Sequence, residues 1–284
     1  MNTAQGAREK QKIMKVGILS DIHVDIDHRT PDGVLEGLAV AIKENRVDMM
    51  IIAGDIANDY ELTLQVLHSL EDSTGVSCLF VPGNHDIWNE QHPAKTSWDT
   101  YNALQKFQGN LSNGPHELAS GWIVIGDIGW YDYSFGSRQY TIGDFDRMII
   151  NGRVWQDKLN TNWGKSTIEM HQHFYRKLEQ QVQHHQDKKI VLVTHVLPLA
   201  DFTVRPANRM WQYLNAFLGS RQYGRLALKY SVAYSICGHV HYRMQRRYEN
   251  TVFICNCLNY ASQWRNNDDP IIEVGRAFKT ITFS

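Results

Sequence analysis

Five short polar stretches, each closing a hydrophobic run, hold the residue types that could do chemistry. They are Asp21-Ile-His23, Gly54-Asp55, Gly83-Asn84-His85-Asp86, Thr194-His195 and Gly238-His239-Val-His241. Carboxylate, imidazole and amide donors without thiolate suit borderline or hard divalent metals: Mn, Fe, Zn, Ni or Co. Asp21 and His23 stand two residues apart, on one side of an extended segment, so both can face one ion. His239 and His241 repeat that geometry, and Asn84 offers a neutral carbonyl oxygen. Asp21, His23, Asp55, Asn84, His195, His239 and His241 are too many ligands for one tetrahedral site. They suit two ions sharing one bridging carboxylate.

These side chains meet only if the elements before them end at one place. Residues 16–20, 49–53, 78–81, 190–193 and 234–237 are apolar enough to be strands buried on both faces. Strands ending in Asp, His or Asn would gather those groups at the C-terminal edge of a sheet, where α/β folds bind ligands. Val34, Leu35, Leu38, Ala39 and Ile42 give residues 32–46 a helical period, and Leu62, Val66, Leu67 and Leu70 do so for 60–70. Two strand–helix–strand passes imply right-handed crossovers and a largely parallel sheet. Further helices are expected over 96–107 and 167–185, and a strand over 122–125.

Residues 132–166 are rich in aromatics (Tyr133, Phe135, Tyr140, Phe145, Trp155, Trp163) and show little periodicity. Loops that long inside a domain are usually functional, so the segment is read as an inserted cap or lid. A second excursion covers 197–221, with Trp211, Leu214, Phe217 and Leu218 as a helix face. The C-terminal part reads as strands at 244–248, 251–258, 271–274 and 277–283. The fold class is α/β: two stacked sheets with helices outside, in one domain over 14–284 behind a disordered leader at 1–13.

The chain has 284 residues, 29 basic against 30 acidic, and a formal charge of −1. That balance offers no reason to expect polymeric nucleic acid or an anionic membrane as a partner. No run approaches the ~18 apolar residues of a membrane-spanning helix, and residues 1–14 lack the apolar centre of a secretory signal. Cys78, Cys237, Cys255 and Cys257 lack C-x-x-C spacing and are read as packing residues. Reduced thiols and no signal point to the cytoplasm. Oligomeric state is not legible in these patterns.

The ordered motifs D-x-H, G-D, G-N-H-D, T-H and G-H-x-H, spanning Asp21 to His241, resemble the calcineurin-like metallophosphoesterase superfamily. The resemblance implies a β-sandwich flanked by helices on both sides (four layers, α-β-β-α) and a dinuclear centre. By motif position Asp21, His23 and His241 would hold one divalent ion. Asn84, His195 and His239 would hold the other, with Asp55 bridging and manganese the foremost metal. His85 is similar to the family's non-ligand histidine. It would protonate the leaving alkoxide, with Asp86 accepting its other N–H. The implied reaction is attack of a metal-bridging hydroxide on a small phosphorylated substrate, a diester or nucleotide-type ester. A nucleotide pyrophosphohydrolase, a phosphomonoesterase and a non-catalytic metal-binding scaffold are the alternatives.

Plainer roles compete for the remaining candidates. Asn58-Asp59 precedes a helix and reads as its N-cap rather than as support for the site. His28 lies near His23 in sequence without a motif, and His184-His185 reads as solvated. Arg147, Arg153 and Lys165 could hold a phosphate or serve solubility. Trp130 and Tyr131 could line a pocket or fill the core.

Overall fold

The computed structural model describes residues 13–26, 31–118, 121–264 and 269–284. The expected leader, apart from Ile13, and His28 lie outside these residues. The first half alternates β1 (Met14–Leu19), α1 (Pro31–Asn45), β2 (Met49–Ile52), α2 (Tyr60–Thr74) and β3 (Ser77–Phe80), followed by α3 (Ser97–Leu104), β4 (His116–Glu117) and β5 (Trp122–Asp127). The long aromatic stretch then folds as α4 (Ile142–Asp146), a minimal hairpin of β6 (Ile149–Ile150) and β7 (Arg153–Val154), and α5 (Asp157–Asn160). After it come α6 (Thr167–His184), β8 (Lys189–Thr194), α7 (Arg209–Leu214), α8 (Arg221–Lys229), β9 (Tyr234–Cys237), β10 (Arg243–Tyr248), β11 (Thr251–Asn256), α9 (Pro270–Ala277) and β12 (Lys279–Phe283).

Two mixed sheets result. One is ordered β12-β1-β2-β3 and the other β10-β11-β9-β8-β5-β4. The strands that end in the polar motifs run parallel to their motif-bearing neighbours: β1 with β2, β2 with β3, and β8 with β9. Antiparallel partners stand only at the edges, β12 beside β1, β10 beside β11 and β4 beside β5. Val16, Ile18, Ile51, Val81, Val124, Val191, Val193, Ile236 and Ile254 interdigitate between the sheets. Separate apolar layers join the first sheet to α1 and α2, and the second to α6 and α8. Each fully buried side chain of this kind contributes about 1.5–3 kcal/mol. These are the four layers expected.

Local signals explain the element limits. Asp59 accepts from the backbone N–H groups of Glu61 and Leu62 to start α2, and Gly75 ends it at φ 69°. Thr96 with Asp99, and Ser166 with Glu169, form capping boxes on α3 and α6.

Two readings change. The expected strand at 271–274 is helix α9, because Asp269 caps it and Pro270 opens it; only Val274 and Ala277 of its apolar residues are fully buried. A short apolar run cannot by itself distinguish strand from buried helix. Helix α8 was not anticipated; Ser220 caps it, and Tyr223, Leu226 and Ala227 form its buried stripe. Within the aperiodic segment 132–166, Tyr133, Phe145 and Trp163 pack into the apolar layer that also holds Trp130 and Tyr131. Among the described residues no helix is long and apolar enough to cross a membrane.

Candidate metal centre

The motif side chains converge because their turns bond to one another. Asp21 N–H donates to the Gly54 carbonyl (2.9 Å) and His23 N–H to the Asp55 carbonyl (3.1 Å). Gly238 N–H donates to the His195 carbonyl (2.9 Å), and His239 N–H to Asp21 Oδ1 (2.9 Å). Ser20 N–H donates to the Asn256 carbonyl (3.0 Å), tying the two sheets at this edge. Close approach excludes side chains at Gly83, where a Cβ would lie 2.1 Å from Asp55 Oδ1, and at Gly238, where it would lie 2.4 Å from Asp21 Oδ2. Asp21, His23, Asp55, His239 and His241 all have left-handed φ values, from 46° to 73°. Non-glycine residues hold this conformation at a cost of roughly 1–3 kcal/mol each, and such strain clusters at functional sites.

Two groups of donors form, linked by a third made of His23, Asp55 and His85. Asp21, His23 and His241 place one donor atom each within 4.8 Å of the others, and so do Asp55, His195 and His239. His23 Nε2 lies 3.2 Å from His241 Nε2. His195 Nε2 lies 3.0 Å from both Asn84 Oδ1 and His239 Nδ1, and 3.2 Å from Asp55 Oδ2. Asp55 Oδ2 is also 3.8 Å from His23 Nε2, so this carboxylate stands between the groups. Its Oδ1 accepts the His85 backbone N–H (2.9 Å), leaving Oδ2 for the site.

The outward nitrogens settle what faces inward. His195 Nδ1 donates to the Ala53 carbonyl (2.8 Å) and His239 Nε2 to the Phe217 carbonyl (3.1 Å). His241 Nδ1 donates to Gln263 Oε1 (2.6 Å). Each therefore turns a lone pair toward the centre when neutral, where carboxylate and amide oxygens also point. So many acceptors within about 3 Å of one another repel unless a cation or proton lies among them. The donor set fits divalent metal ions. Burial, followed by the surrounding histidines, holds His23 well below the usual imidazole range, and burial then His195 lowers His239 to about 3. Burial opposes charging His195 too, but Asp55 outweighs it and raises it to about 9; burial lifts Asp55 itself to about 7.

His85 stands beside the two groups with Nε2 3.9 Å from Asp55 Oδ2. Its Nδ1 meets Asn58 Oδ1 at 2.6 Å, and its ring packs on Trp88 at 3.7 Å between centroids. The expected contact with Asp86 is not present. The Asp86 carboxylate accepts the backbone N–H groups of Asp55, Ile56, Ala57 and Gly83 and the Thr63 hydroxyl. Five donors use up its lone pairs, so it clamps two motif turns together and Asn58 orients the histidine.

A cavity of about 370 Å³ opens over the donors; Trp88, Trp155 and Tyr260 form its aromatic walls. Tyr260 packs edge-on to both His23 and His241. Asp157, from the aromatic insertion, is 1% exposed. It accepts from Asn84 Nδ2 (2.8 Å), Trp88 Nε1 (2.8 Å), Trp155 Nε1 (2.8 Å) and the Tyr131 hydroxyl (3.1 Å). Nothing in the sequence pattern singles out Asp157, Tyr260 or Gln263, which reach the site only through tertiary contact. The one signal for Asn58 is its place soon after Gly54-Asp55. Trp130 and Tyr131 are buried core residues, Arg147 pairs with Asp144, and none of Arg147, Arg153 and Lys165 lines this cavity.

Residues 14–243 match the calcineurin-like phosphoesterase family, and the chain belongs to it. It is a metallophosphoesterase, a hydrolase of phosphate esters with a dinuclear centre of divalent metal ions, which implies a small phosphorylated substrate. Uncharacterized protein L509 of Acanthamoeba polyphaga mimivirus is 22% identical over 281 residues, covering 89% of this chain and 93% of its own length. The crystal structure of phosphopantetheinyl hydrolase from Mycobacterium tuberculosis shares the fold at a TM-score of 0.72 and 18% identity, over 90% of this chain and 94% of that one. TT1561 of Thermus thermophilus shares it at 0.52 and 11% identity, over 96% and 99%.

Proposed function

We propose that this chain hydrolyses a phosphodiester or nucleotide-type ester, with His85 as proton donor. One divalent ion belongs to Asp21, His23 and His241, the other to Asn84, His195 and His239, with Asp55 between them. Manganese is the foremost metal, and the cytoplasm, suggested by four free thiols, the compartment. The observation that carries this reading is the convergence of lone pairs on the floor of an open cavity beside a tethered histidine. Ions bound there would activate a water and neutralise charge on the phosphoryl oxygens.

The chain's own groups supply the rest. Asn58 accepts the Nδ1 proton of His85, so Nε2 faces the cavity and can carry a proton to the departing oxygen. Burial, then the charge of nearby histidines, holds His85 well below the usual imidazole range. A proton placed on Nε2 is therefore readily given up. Trp88, Trp155 and Tyr260 exclude water and offer faces to an apolar or aromatic leaving group. Residues 132–166 act as the cap that brings Trp155 and Asp157 over the centre.

Hydrolysis of aryl phosphate monoesters and diesters by the manganese-loaded protein, beside His85→Ala, tests the proposal. Diester turnover should fall about 10²–10⁴-fold in the variant with both metals retained. Undiminished turnover would remove His85 from the chemistry. A monoester preference would shift the substrate to small phosphorylated metabolites, and two bound metals with no turnover on any ester would favour the scaffold role. The 0.72 likeness to the Mycobacterium protein supports adding a phosphopantetheinyl ester to the panel.

A further inference from the structure

Two chemically unlike cavities meet at His241. The cavity over the metal ligands is walled by Trp88, Trp155 and Tyr260, and among the described residues no lysine or arginine lines it. On the other side of His241 lies a larger cleft of about 730 Å³, where three arginines face two carboxylates. Glu273 is already engaged by Arg243 (2.6 Å) and Arg276 (3.5 Å), and Asp201 accepts the Tyr248 hydroxyl. Among the described residues Arg205 and Arg246 have only neutral hydrogen-bond partners: Thr203 Oγ1 at 3.4 Å and the Gln245 carbonyl at 2.9 Å. Among the described residues neither has a carboxylate within 4.0 Å. They come from unconnected segments, the loop before α7 and the edge strand β10, yet both line the same cleft.

Guanidinium groups without an anion, in a cleft sharing a wall with a phosphoryl site, suit a second phosphate. We infer that the cleft is an anion subsite of the same active centre, in which Arg205 and Arg246 hold a phosphate carried on one arm of the substrate. The other arm, apolar or aromatic, sits against Trp88, Trp155 and Tyr260. This deepens the phosphoesterase reading and rests on it: the substrate is an asymmetric phosphodiester with a further phosphate on one side. A small monoester would fill neither cavity.

The test uses two p-nitrophenyl phosphodiesters of glycerol, one with the terminal hydroxyl free and one with it phosphorylated. The metal-loaded full chain should prefer the phosphorylated ester by roughly 10–100-fold in kcat/KM, mainly through KM. In Arg205→Ala/Arg246→Ala that ratio should fall towards one, with Arg→Lys variants between. Both arginines are exposed, so folding is not at stake. A wild-type ratio near one, or a ratio untouched by the double substitution, overturns the subsite. Binding of glycerol 3-phosphate to the metal-free protein, followed by ³¹P line broadening, decides it independently of turnover: broadening lost in the double variant supports the subsite, and broadening equal in both sinks it. If neither ester is hydrolysed, the phosphoesterase reading fails while the ³¹P result still stands.

Discussion

His195 shows how one side chain is prepared for a cation. Its Nδ1 is committed to the Ala53 carbonyl, and its Nε2 is crowded by Asn84, His239 and Asp55. Without metal, the opposing penalty of burial is outweighed by Asp55, and the imidazole holds its proton up to about pH 9. A metal must displace that proton. Affinity should therefore climb with pH up to about 9, by roughly tenfold per unit for each proton released. The stability of the metal-free protein moves oppositely. A folded pKa raised above the unfolded value near 6.5 contributes fully below that pH and loses its effect as pH rises to 9. Calorimetric metal titrations in buffers of different ionisation enthalpy read the protons directly. Affinity flat across this range would contradict the assignment of His195 as a ligand.

At the scale of elements, the insertion between β5 and α6 is bound to the centre through Asp157. Its carboxylate fixes the Asn84 amide so that Oδ1 points at His195, and fixes the two indoles that wall the cavity. Asp157→Asn keeps the shape but loses the charge that satisfies four donors. On the proposed assignment, the ion at Asn84, His195 and His239 should bind about 10–100-fold more weakly. The ion at Asp21, His23 and His241 should keep its affinity. Equilibrium dialysis with metal analysis distinguishes the two; equal weakening of both would reduce Asp157 to a general stabiliser. Asp86 is the counterpart within the motifs, holding the turns after β2 and β3 by five hydrogen bonds.

Across the whole molecule, the C-terminal edges of both sheets are locked together; Cys237, Cys255 and Cys257 lie beside that junction and Cys78 is buried near the start of β3. Burial pushes Cys78 up to about 12 and raises Cys237, Cys255 and Cys257 as well. Cys255 and Cys257 share one side of β11 and its end, with Sγ atoms 3.7 Å apart. They are packing residues, and the native protein should show no thiol reactive toward a disulfide reagent at pH 8, against four in guanidinium. Any thiol titrating rapidly in the native state would mean that β11 opens on the timescale of the assay.

Much of this was legible in order along the chain. Each candidate ligand ends an apolar run, because a polar side chain can leave the core only where its strand stops, so strand propensity and ligand position report the same boundary. Periodicity located α1 and α2 for the same local reason. It failed at α9, where two adjacent isoleucines imitate a strand and the cap at Asp269 decides for helix. The aromatic insertion has no period because its rings pack in several directions against Trp130, Phe174 and Phe217. Which side chain turns His85 was not legible either: Asp86 is adjacent in the chain, but its lone pairs are taken by Gly83 and by groups 23 to 31 residues away. Asp157 reaches Asn84 across 73 residues, and Arg205 stands beside the same cleft as Arg246. The chain by itself determined the donor types, their order and the strands that end in them, since those follow from local pattern. Only the tertiary structure decided which atoms share a centre, which residue orients His85 and what walls the cavity, because those contacts join segments with no sequence proximity.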